Sequence, residues 1–161
     1  MTDQEIIEKS IDDYKVPEDS YKADSEACDR YISFSSELLR LSLIAIGGYG
    51  TLVTIFLKDK PEKLPALQNS WGLFVSVCLF CICAGCTLVH RFYATDSMGW
   101  YIEYLRATIS GNNANKIKQH KGLHRKLDVS EWSLIAAEYV FAAAVIFFIA
   151  GFYQLLHAYT R

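Results

Sequence analysis

Four cysteines, one deeply placed glutamate and a run of bases are the side chains here whose types and spacing suit chemistry. Cys78, Cys81, Cys83 and Cys86 form two C-x-x-C spacings, a pattern that in a loop holds zinc or cycles between thiol and disulfide. On a helix the pairs diverge: Cys78 and Cys81 share one face and Cys83 and Cys86 another, with His90 seven residues beyond Cys83. A thiolate is costly in hydrocarbon, and a disulfide between residues of one helix is sterically poor. The spacing therefore favours cysteine as a small apolar packing residue, with no metal and no cofactor expected. Glu138 with His90 could move a proton, but no nucleophile or cofactor signature accompanies them, so the chain is read as a non-enzyme.

Glu138 lies about two turns past Trp132, inside an otherwise apolar block. At the centre of a membrane helix a carboxylate costs roughly 2.5–3.5 kcal/mol, and less near its end. It is therefore expected to pair with Arg40 or Arg91, or to face water. Glu37, Arg40, Arg91 and Glu138 are the candidate boundary charges of a gating or selectivity ring, with interhelical salt bridges as the competing reading. A stripe of small and hydroxyl residues, Gly47, Thr51 and Thr54, lies on one helical face between Arg40 and Lys58. Such a face permits close helix packing or lines a water-filled lumen. Lys116, Lys118, Lys121, Arg125 and Lys126, with His120 and His124 among them, form a basic run suited to phosphate-bearing ligands, including nucleotides or oligonucleotides. The same bases would serve as a topology signal and attract anionic headgroups. No glycine-rich phosphate loop accompanies them.

These groups must be positioned by membrane helices. The chain has 161 residues, 52% of them hydrophobic and 21% charged, a mixture that implies apolar blocks separated by solvated segments. Leu41–Leu57, Ser70–Val89 and Tyr139–Thr160 carry no Asp, Glu, Lys or Arg. A bilayer core needs roughly 20 helical residues, with about 17 tolerated. A soluble helix must show one face to water and rarely runs so far uncharged. Three spans are expected, at about 41–57, 70–89 and 133–157, with Trp71, Trp132, Tyr153, His157 and Tyr159 near the interfaces. The fold class is all-α: a three-transmembrane-helix bundle with helical cytoplasmic extensions.

Lysine and arginine decide the orientation. The N-terminal flank and second loop hold Lys22, Arg30, Arg40, Arg91, Arg106 and the five bases above; the other side holds Lys58, Lys60, Lys63 and Arg161. The excess predicts a multi-pass inner (plasma) membrane protein with a cytoplasmic N-terminus and an external C-terminus. No secretory signal peptide is expected from the polar, acidic start. Residues 1–17 read as an acidic flexible tail and 18–161 as one membrane domain. In that domain Tyr31, Phe34, Leu38 and Leu41 extend the first helix before its span, and Phe92, Met98, Tyr101, Ile102, Leu105 and Ile109 extend the second beyond it. Gly111, Asn112 and Asn113 give the first stop. A basic loop over 111–127 and a third helix from Asp128 or Ser130 complete the expectation.

The segment Asp29-Arg30-Tyr31-Ile32-Ser33-Phe34-Ser35-Ser36-Glu37-Leu38-Leu39-Arg40 runs straight into the first span. A tight second span with a long extension follows. In this the chain resembles the small bacterial SLATT-type membrane effectors of nucleotide-signalling antiphage defence, over residues 25–158 in architecture. The third span departs from the two-span family pattern. The resemblance implies a homo-oligomeric pore in a lipid bilayer, opened by a nucleotide or oligonucleotide and partnered by a nucleotidyltransferase. A non-enzymatic membrane anchor or accessory subunit is the alternative.

Overall fold

A computed structural model of the chain describes residues 16–59, 70–111 and 113–160. The tail before residue 16, residues 60–69, Asn112 and Arg161 lie outside the described residues. Pro17 holds φ at −59° and leads into a 3-10 turn over Glu18–Ser20. Three helices follow: α1 (Lys22–Asp59), α2 (Trp71–Ile109) and α3 (Asn113–Thr160). The described residues contain no strand, and the fold is all-α. Each helix is long and apolar enough to cross a membrane. Only a third or less of the most apolar window of each is buried within the chain. Water cannot cover so much apolar surface, so lipid must, and the chain is a multi-pass membrane protein.

The second helix does run past its apolar block to Ile109. Gly111 follows at φ +69°, and its N–H donates to the Thr108 carbonyl at 3.3 Å. A left-handed residue in this place closes a helix and suits glycine, which has no Cβ to clash. One expectation is corrected here: residues 113–127 are not a loop. They form the first part of α3, which begins at Asn113 rather than near Asp128. Lys, Gln, Arg and Leu are strong helix formers and outnumber the weaker Asn and His of this stretch, and Gly122 is its one residue with a penalty near about 1 kcal/mol. Of the charges that read as a solvated loop, Lys118, Lys121 and Arg125 lie on the exposed face of a helix.

The chain divides into two compact units. The apolar unit comprises residues 34–89 and 133–161, and the polar unit residues 1–33 and 90–132. In the apolar unit, Leu38, Cys83, Leu134 and Ala137 from the three helices form one buried cluster, and Leu73 with Leu155 forms another, capped by Tyr49, Leu52, Val53 and Phe148. Phe80 meets Phe141 edge to face at 5.7 Å. Small residues let the backbones approach: an added Cβ on Gly72 would lie 2.8 Å from the Gly151 backbone. Buried Ser42 and Ser76 donate to carbonyls of their own helices at 2.8 and 2.7 Å. Such back-bonding removes the penalty of an unmet hydroxyl in an apolar setting.

Candidate functional site

The polar unit is built from the first turns of α1, the last five turns of α2 and the first half of α3. On α2, His90, Ala94, Ser97 and Tyr101 recur at spacings of three and four and so share a face. The two small residues keep that face shallow. The result is a cavity of about 330 Å³, walled by this face, by Asp24 and Cys28 of α1, and by Leu123 and Leu127 of α3.

Its polar groups are held in place. Tyr101 Oη donates to Asp24 Oδ2 at 2.6 Å. Ser97 Oγ donates to the Ala94 carbonyl at 2.8 Å, and Cys28 Sγ approaches the same oxygen at 3.8 Å. Burial, followed by the Asp29 carboxylate, pushes the Cys28 thiol up, so it stays an S–H donor. His90 is 3% exposed. Its Nδ1 lies 3.0 Å from the Ser130 carbonyl. The Ser130 hydroxyl oxygen lies at the same 3.0 Å. Both oxygens can accept from an Nδ1–H, whereas a bare Nδ1 would set its lone pair against that of the carbonyl. The hydrogen is therefore assigned to Nδ1, and in that tautomer Nε2 is an acceptor. That Nε2 is buried and has no partner among the described residues.

The basic run divides in two. Lys126 pairs with Asp96 at 2.5 Å and lies 5.1 Å from the Tyr93 ring centroid. Lys116 lies 5.8 Å from the Tyr104 centroid. Lys118, Lys121 and Arg125 are exposed. At about 100° per residue these three fall on the side of α3 opposite the cavity-lining Leu123 and Leu127. His120 and His124 are ring neighbours at 4.8 Å, with Tyr104 against His120. Gly122 faces Trp100, whose ring occupies the space a Cβ would need.

No protein-family model, curated protein or solved structure matches this chain. Its chemistry must therefore be argued from its own residues.

In the apolar unit, Gly47, Thr51 and Thr54 are exposed together, and an added Cβ at Gly47, Gly48 or Gly50 would meet nothing within 4 Å among the described residues. The Thr51 and Thr54 hydroxyls donate to the Gly47 and Gly50 carbonyls at 3.0 and 2.9 Å, leaving their oxygens as outward acceptors. Arg40 pairs with Glu37 of its own helix at 3.8 Å, both side chains largely exposed. Glu138 is exposed, with no ion pair to a described residue. Arg91, in the polar unit, is half-buried. Cys83 is buried with its Sγ 3.4 Å from the Ala137 carbonyl, Cys86 is half-buried, and Cys78 and Cys81 are exposed. Among the described residues no three metal-ligating side chains converge.

The groups that sequence reasoning missed are Asp24, Ser97 and the free nitrogen of His90. Their signal was the four-residue face on α2, in which small residues interrupt an aromatic stripe. One consequence is measurable. The hydrogen bond to Asp24, then burial and the nearby carboxylate charge, push the Tyr101 phenol up from 10.0. The folded chain thus holds this proton more tightly than the unfolded one. The associated stability is present below the ordinary tyrosine range and is lost as pH rises through the higher folded value. Ultraviolet titration should show a late-ionising phenol whose transition Asp24→Asn moves to lower pH.

Proposed function

We propose that this chain is the subunit of a homo-oligomeric membrane pore that acts as a signal-responsive, non-enzymatic effector. The observation that carries the reading is Glu138: a carboxylate exposed on an apolar, membrane-spanning unit. Left in lipid it would cost up to roughly 2.5–3.5 kcal/mol. Water or a second copy of the chain offsets that cost. A pore supplies both, since spans this few must assemble around an axis to enclose an aqueous path. Gly47, Thr51 and Thr54 suit the lumen, because none of the described residues covers them and the two hydroxyl oxygens can still accept. An acidic ring at Glu138, with Glu37 and Arg40 at the boundary, favours cations.

The gating input is a phosphate-bearing signal, a nucleotide or oligonucleotide, on Lys118, Lys121 and Arg125. It opens the pore by binding one state better than the other. Bacterial antiphage defence, with a nucleotidyltransferase as signal source, is the setting that the SLATT-like architecture suggests. In that setting the chain sits in the inner membrane with its N-terminus and polar unit in the cytoplasm and its C-terminus outside.

Single-channel recording of the purified chain in planar bilayers tests this. Conductance with cation preference is expected. Glu138→Gln should reduce the preference, and Gly47→Leu should narrow or abolish the current by placing a branched side chain in the lumen. Silence with every nucleotide tried, together with crosslinks to a different polypeptide only, would instead identify an accessory subunit.

A further inference from the structure

The cavity of the polar unit carries a hydrogen-bond complement of one sign. Tyr101 gives its hydrogen to Asp24, Ser97 and Cys28 direct theirs to the Ala94 carbonyl, and His90 Nδ1 gives its own to Ser130. What remains on this wall is lone pairs: the Asp24 carboxylate, the Ser97 oxygen, the Cys28 sulfur and the buried His90 Nε2. Tyr31, 58% exposed, has solvent for its hydroxyl. Among the described residues Asp24 is the single formally charged side chain on the wall. Between the acceptors the surface is methylene and thioether, from Met98, Leu123 and Leu127.

Shape narrows the ligand further. His90 and Tyr101 mark two positions on the α2 wall that lie about 16 Å apart along the helix axis, at about 1.5 Å per residue. A volume of about 330 Å³ spread over that length is slender. It suits an alkyl chain better than a fused ring system. Phosphates and carboxylates bring only acceptors and negative charge, and both would be repelled.

We propose that this cavity binds a slender aliphatic amine with N–H donors at both ends, of the diamine and polyamine class. One ammonium meets Asp24, the methylenes lie on Met98, Leu123 and Leu127, and a donor at the far end completes His90 Nε2. This site is separate from the outward-facing bases and does not rest on the pore reading.

Calorimetric titration of the full chain in nanodiscs tests it with three eight-carbon probes: octamethylenediamine, the matching diol, and suberate. The diamine should bind saturably at one site per chain, the diol at least about tenfold more weakly, as for loss of a charge-assisted hydrogen bond, and suberate not at all. Asp24→Asn should weaken the diamine about tenfold and leave the diol unchanged. Tyr101→Phe breaks the same phenol–carboxylate contact while keeping the charge, so it should hold or strengthen binding. A merely structural role for the pair would move both variants alike. Ala27→Trp, at an exposed wall position, should block the cavity. Equal affinity for diamine and diol, an undiminished Asp24→Asn variant, binding of suberate, or no saturable heat from the diamine would each overturn the proposal.

Discussion

Gly151→Leu is expected to abolish the native packing of the apolar unit, whereas Gly85→Ala should leave it intact or slightly firmer. An added Cβ on Gly151 would fall onto the backbone where α2 passes, against Leu73 N and the Gly72 carbonyl carbon. Neither atom can rotate away, because both belong to a helix backbone. Overpacking of this kind typically costs about 1–3 kcal/mol, and more when backbone must shift. The same contact anchors the buried Leu73–Leu155 cluster, so separating the helices also exposes those side chains. At Gly85 an added Cβ meets nothing within 4 Å among the described residues, and alanine is the better helix former by about 1 kcal/mol. Thermal unfolding in detergent, followed by circular dichroism and aggregation, should separate the two. If Gly151→Leu melts with the parent chain, the close approach of α2 and α3 in this unit is wrong.

The second large effect is expected in the polar unit. Gly122→Leu would drive a side chain into the six-membered ring of Trp100, which already fills the space beside that glycine. Trp100, which is partly buried, must shift and give up part of the roughly 1.5–3 kcal/mol that full burial of a large apolar side chain is worth. The substitution should therefore expose the polar unit to protease between residues 90 and 132. The apolar unit has its own clusters and should remain protected. Combining it with Trp100→Ala removes the obstacle. The double variant should recover much of the loss, with a coupling energy above about 1 kcal/mol. Strict additivity of the two changes would mean the ring and the glycine do not touch.

Much of this architecture was legible in the residues alone, for a simple reason. Runs such as Ser70–Val89 leave no alternative solvent, so their membrane character survives any error in local detail. The overrun of α2 was legible because Phe92, Met98, Tyr101 and Ile109 keep helical spacing until Gly111 supplies a stop. The stretch 113–127 was misread because its dominant feature, positive charge, is shared by loops and by helix exteriors. The deciding residues, Leu123 and Leu127, are too few to announce a period without knowing what they pack on. The split into two units was illegible for a related reason. It follows from side-chain contacts such as Lys126–Asp96 and Phe80–Phe141, which join helices far apart in sequence. The cavity was harder still. Small residues such as Ala94 and Ser97 signal only that something is missing beside them, and the chain's pattern does not say whether a helix or a ligand fills the gap.

The inward turn of Lys116 and Lys126 bears on how this surface meets polyanions. Five lysines and arginines in a short run would suggest the displacement of many condensed ions when a nucleic-acid strand docks. With two of the five engaged by Tyr104, Tyr93 and Asp96, only Lys118, Lys121 and Arg125 are left to neutralise phosphates. A single strand held by three bases should lose affinity with a logarithmic salt slope near about −2, rather than the roughly −3.5 that five would give. Ionic strength would then be a weak lever on this face.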